Sequence, residues 1–95
     1  MLYKFFVKRG AALLDKRVPK WTNKLNPDDV DMSNPDYCVL GLVYRSYEYG
    51  LDRLNIKGNG WTHGFNILLG NRRREVTKYA KLDELWRAQI EQRQP

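Results

Sequence analysis

His63 is the chain's one imidazole. It lies in the stretch Lys57-Gly58-Asn59-Gly60-Trp61-Thr62-His63-Gly64-Phe65, flanked by two aromatic residues. A histidine there could work as a general base or as a ligand in a loop pocket. Such chemistry also needs a nucleophile or an orienting carboxylate beside the ring, and no spacing in the chain supplies one. The expectation is a histidine that hydrogen-bonds a turn between the two aromatics. Cys38 is the one thiol. A reactive thiolate wants exposure and nearby positive charge, whereas Asp36, Val39 and Leu40 surround this one. It reads as a buried small hydrophobe. One Cys and one His also exclude an intramolecular disulfide and a multi-Cys/His metal site contained in one chain.

Gly58-Asn59-Gly60 has the flexibility of a phosphate loop. It lacks the trailing Lys-Ser/Thr and the strand–Gly-x-Gly-x-x-Gly–helix setting, so it reads as a connector. Asp28, Asp29, Asp31 and Asp36 form an acidic stretch. A calcium loop begun at Asp29 would place Asp31 at its third position but needs a glutamate at residue 40, where Leu40 stands. The aspartates read instead as charges at helix N-termini. Arg72-Arg73-Arg74 with Lys78 and Lys81 is the densest basic cluster. On a loop entering a helix it could hold phosphates or an acidic surface. Three consecutive arginines also point apart, as solvated side chains do. Arg72, Arg73, Arg74, Lys78, Lys81, Trp61 and His63 are the candidate residues for a partner or nucleic acid. No catalytic, cofactor-binding or metal-ligating residue is expected.

The elements that must position these residues are helical. Residues 2–17 carry Leu2, Phe6, Leu13 and Leu14 near one helical face. Gly10 weakens that helix by about 1 kcal/mol relative to alanine, and the helix could begin after it. Val18-Pro19 ends the element, and Trp21 beyond the stop should fold back onto its apolar face. Asn26-Pro27-Asp28-Asp29 is a helix start for a short element. Ser33-Asn34-Pro35-Asp36 repeats that grammar and opens the most apolar segment, Tyr37 to Tyr44. Leu40, Tyr44, Tyr47, Leu51 and Leu54 then form a helical stripe, continuous or broken near Gly50. Residues 57–64 are a Gly-rich loop. Residues 65–69 are ambiguous between a helical turn and a short strand. The last element is the clearest, with Val76, Tyr79, Leu82, Trp86 and Ile90 at helical steps. Asp83 and Glu84 are placed to pair with Arg87. The expected fold is mainly α: one domain over residues 1–95, a bundle of three to five helices with a Gly-rich loop and a short β-hairpin near 65–77 as an option.

With 95 residues, the chain buries only about two-thirds of its unfolded surface, so its twelve aromatic residues must supply much of the core. The 17 Lys+Arg outnumber the 11 Asp+Glu for a net charge of +6. Residues 1–24 hold seven bases and one acid, residues 25–56 two bases and six acids, and residues 57–95 eight bases and four acids. An acidic middle between basic ends suggests internal complementarity or basic surfaces that meet an acidic partner. Net positive charge favours encounter with nucleic acid or acidic proteins. The start, Met1 to Arg9, imitates a signal peptide, but Lys4, Lys8 and Arg9 interrupt the apolar run that one needs. No segment approaches a membrane span, and a lone Cys suits a reducing compartment. A cytoplasmic protein is expected.

Several landmarks run over nearly the whole chain: Gly10-Ala11-Ala12-Leu13-Leu14-Asp15 followed by Pro19-x-Trp21, Asp31-Met32-Ser33, Cys38-Val39-Leu40-Gly41, Tyr47-x-x-Gly50-Leu51-x-x-Leu54, His63-Gly64-Phe65, and Tyr79-x-x-Leu82-x-x-x-Trp86-x-x-x-Ile90. With them the chain resembles a set of small proteins encoded by actinobacterial phages and prophages. Pro35 stands where such proteins often carry a second Cys, which argues against a dithiol or metal role. The resemblance implies a phage-related setting in a bacterial cytoplasm and brings no activity with it. By analogy, such proteins bind a host or phage macromolecule. The expectation is a non-enzymatic interaction module that binds a host or phage protein. The alternatives are a basic nucleic-acid-binding (DNA) protein that uses the 72–81 cluster with Lys16, Arg17, Lys20 and Lys24 and, more remotely, a small hydrolase or nuclease built on His63. A homodimer would hide apolar surface in so small a chain.

Overall fold

The computed structural model describes residues 3–67 and 76–94. Its order is helix α1 (Tyr3–Arg17), a 3₁₀ turn (Pro27–Asp29), α2 (Val39–Tyr44), α3 (Tyr47–Arg53), a second 3₁₀ turn (Gly60–His63) and α4 (Val76–Arg93). The fold is mainly helical, with no strand among the described residues. The hairpin considered near 65–77 finds no support: residues 65–67 are irregular, 76–77 are already α4, and 68–75 lie outside the described residues.

α1 starts at Tyr3 and runs through Gly10, where a later start was an option. Its buried face is Val7, Gly10, Ala11 and Leu14. Phe6 and Leu13, expected on that face, are only half buried. The reason is Gly10, which lies where the helix meets the rest of the core. A Cβ there would overlap the His63 carbonyl oxygen and stand 2.9 Å from Cη2 of Trp86. The small residues Gly10 and Ala11 therefore mark the inner face, and bulk is displaced to its edges.

Trp86 is the centre of the core. Its ring is fully buried, stacks on Phe65 at 5.1 Å and meets Trp21 edge-on at 6.0 Å. Its indole N–H donates to the Gly64 carbonyl at 2.7 Å. Gly64 adopts φ 73°, and a Cβ there would collide with Val7, so both conformation and space require glycine. Trp21 does fold back after the stop at Val18, and its N–H donates to Asp15 at 2.8 Å. Tyr79, Leu82, Trp86 and Ile90 form the buried stripe of α4, as their spacing predicts, while Val76 is 66% exposed.

The Asn26 start signal holds: its side chain accepts from the Asp28 N–H, and Pro27 occupies the first position of the turn. The central stripe is broken, but at Arg45-Ser46 and not at Gly50. Arg45 takes the left-handed conformation at φ 76°, and the Ser46 hydroxyl then caps α3 by accepting from the Tyr49 N–H at 3.0 Å. Gly50 lies inside α3, where a Cβ would press on Leu40. Neither Ser33 nor Asn34 caps α2. Cys38 does, its Sγ accepting from the Gly41 N–H at 3.3 Å. Asp31 and Asn34 close side-chain turns just before it, accepting from the Ser33 and Asp36 N–H groups.

Candidate functional site

The residues singled out from the sequence fall into separate neighbourhoods. Trp61 and His63 share the second 3₁₀ turn, which packs on α1. The Trp61 ring meets Phe6 edge-on at 5.7 Å. His63 Nδ1 lies 2.9 Å from the Thr62 hydroxyl, which itself donates to the Asn59 carbonyl at 2.7 Å. Burial, helped by the nearby Arg9 cation, pushes the His63 imidazole below its ordinary pKa. The ring therefore favours the neutral form and is tied into a turn between two aromatics. The Thr62 hydroxyl gives its proton to the Asn59 carbonyl, so it accepts from the His63 Nδ1–H and holds the ring in the turn. Cys38 is buried and serves as the α2 cap.

A polar group that the sequence did not announce joins three elements beside this turn. Asn66 accepts from the Tyr79 hydroxyl at 2.6 Å and donates to the Tyr47 hydroxyl at 3.2 Å. Burial pushes the Tyr47 phenol above its ordinary pKa. The Tyr47 phenol therefore stays protonated at neutral pH, and the trio fixes residue 66 against α3 and α4. Only the helical spacing of Tyr47 and Tyr79 hinted at it.

Arg72, Arg73 and Arg74 lie outside the described residues. Lys78 and Lys81 lie on α4 and line a groove of about 290 Å³ with Tyr3, Lys4, Thr77 and Leu85. Leu85 and Tyr3 are half buried and pack against the core edge; Lys78 is half buried too, while Lys4 and Lys81 are exposed. Lys81 also stands 3.6 Å from Glu84 in an exposed pair. Tyr3, Lys4 and Leu85 were not singled out from the sequence. The available signal was Leu85, an apolar residue of α4 lying off its main stripe.

The other flank of α4 is acidic. Asp28, Asp29, Asp31 and Asp83 line a groove of about 410 Å³ together with Arg87. Its inner charges hold the fold. Asp83 accepts from the Met32 N–H at 2.6 Å. Arg87 donates to the carbonyls of Pro27 at 3.1 Å and Val30 at 2.8 Å. The pairing of Asp83 and Glu84 with Arg87 expected from helical spacing is replaced by these contacts, because the backbone of 27–32 has donors and acceptors to satisfy where it crosses α4. Burial raises the Asp83 carboxyl above its ordinary pKa, against the pull of the Met32 N–H and Arg87. Among the described residues no three His, Cys, Asp or Glu side chains cluster as metal ligands. Among them, too, no helix is long and apolar enough to cross a membrane. Compared with protein-family models, curated proteins and solved structures, the chain matches none.

Proposed function

We propose that this protein is a phage-encoded, non-catalytic interaction module of the bacterial cytoplasm, and that it docks an acidic segment of a host or phage protein between α1 and α4. One observation carries the reading: Tyr3 and Leu85, half buried against the core, line one groove together with Lys4, Lys78 and Lys81. At about 290 Å³ the groove is at the lower limit of small-molecule sites, which run from roughly 300 to 1,000 Å³. It suits one or two anchoring side chains of a larger partner. An apolar anchor with acidic neighbours would gain burial against Tyr3 and Leu85, while the lysines speed encounter and fix register. The phage setting rests on the resemblance in residue landmarks.

The test is affinity capture from a bacterial host followed by mass spectrometry, with nuclease present throughout. The wild-type chain is compared with Leu85→Asp and with Lys78→Glu/Lys81→Glu. A protein captured by the wild type and lost from both variants supports the reading. Identical capture by all three chains refutes it.

A further inference from the structure

We propose a second binding surface, beyond the docking groove and sharing Lys4 with it: the outward face of α1 takes the phosphate backbone of double-stranded nucleic acid. α1 buries Val7, Gly10, Ala11 and Leu14. The opposite face presents Phe5, Lys8, Arg9 and Lys16, all exposed, with Lys4 exposed on its flank. Twelve residue steps separate Lys4 from Lys16, which is about 18 Å along a helix. A duplex offers one phosphate per 3.4 Å of axis on each strand, so about five phosphates of one strand lie alongside that length. Lys8, Arg9 and Lys16 on this face, with Lys4 at its edge, offer several cations to a ligand of repeated charge.

Two further contacts keep the face positive. Asp15, the acid of α1, gives one carboxylate oxygen to Arg93 Nε at 2.9 Å and to the Trp21 N–H, and the other to Arg93 Nη2 at 2.8 Å. Its charge is thus answered from within the molecule. Arg9 lies over the exposed Phe5 ring, 5.8 Å from its centroid, which holds the guanidinium along the helix surface. A membrane is the weaker fit. Amphipathic helices bind bilayers through a free apolar face, and the apolar face of α1 is the core of the fold, leaving Phe5 alone. Contacts of this kind position a protein without reading sequence.

The experiment is fluorescence anisotropy of the full chain with a labelled 20-base-pair duplex of arbitrary sequence, between 50 and 200 mM salt. Lys8→Gln/Arg9→Gln/Lys16→Gln removes three phosphate contacts. The slope of log affinity against log salt should then flatten by about 2.7, so the wild type loses about 40-fold more affinity than the variant over that range. Loss of all measurable binding by this variant, with an unchanged circular dichroism spectrum and melting temperature, supports the proposal equally. Lys78→Gln/Lys81→Gln should keep the wild-type slope. The proposal is overturned if the wild type fails to bind at 50 mM salt, if both variants act alike, or if phosphatidylserine vesicles are bound and the duplex is not. None of these results bears on capture through the groove, which is read with nuclease present.

Discussion

At the scale of single residues, glycine and tryptophan set the packing. Gly10 costs α1 about 1 kcal/mol of helix propensity relative to alanine, so a purely local view expects Gly10→Ala to stabilise. The structure reverses the sign, since the new methyl would meet backbone at His63 and the ring of Trp86. Overpacking of this kind costs about 1–3 kcal/mol, or roughly 4–8 °C of melting temperature per kcal/mol in a chain this small. A thermal melt of Gly10→Ala showing equal or higher stability would refute this account of the core. The glycine was visible in the sequence as an anomaly, but its reason was not, because residues 63 and 86 reach it only through the fold. The burial of Cys38, the turn hydrogen bond of His63 and the return of Trp21 were more legible in their immediate neighbours, whereas the capping role of Cys38 was not.

At the scale of elements, helix type and the α4 stripe were legible, and the joints were less so. Leu40, Tyr44, Tyr47, Leu51 and Leu54 keep helical spacing across the break at Arg45, so periodicity alone could not locate it. The sign of the break was Ser46, a capping residue whose hydroxyl accepts from the Tyr49 N–H. Ser46→Ala should lower stability by about 1 kcal/mol, and Ser46→Asp should restore most of it. Chemical denaturation of the two variants checks this; equal midpoints for serine and alanine would show that the cap contributes nothing. Asp83 and Arg87 illustrate the same limit. Their spacing predicts a pair along one helix, but the backbone of 27–32, over fifty residues away in sequence, claims both.

At the scale of the whole molecule, contacts between distant parts of the chain decide both stability and the candidate sites. The groove unites Tyr3 and Leu85, which no local pattern could join. Arg93 reaches back to Asp15, and Gln94 donates to the carbonyls of Thr22 and Leu25. The Arg93 hydrogen bonds hold the Asp15 carboxyl below its ordinary pKa of 3.8, against a smaller opposing effect of burial. A lowered carboxylate stabilises the fold above the unfolded value, and that contribution is lost as pH falls through the folded value. The stability gap between wild type and Asp15→Asn should therefore be open at pH 7 and close below about pH 3.8. Denaturation midpoints measured from pH 7 to pH 3 test this, and a gap independent of pH would refute it. The central position of Trp86 has a consequence for biosynthesis. Ribosomes add roughly 5–20 residues per second, so Val7, Trp21 and Phe65 emerge seconds before the indole they enclose. The nascent chain cannot close its interior until α4 has left the exit tunnel, and for that interval its aromatic side chains are open to chaperones.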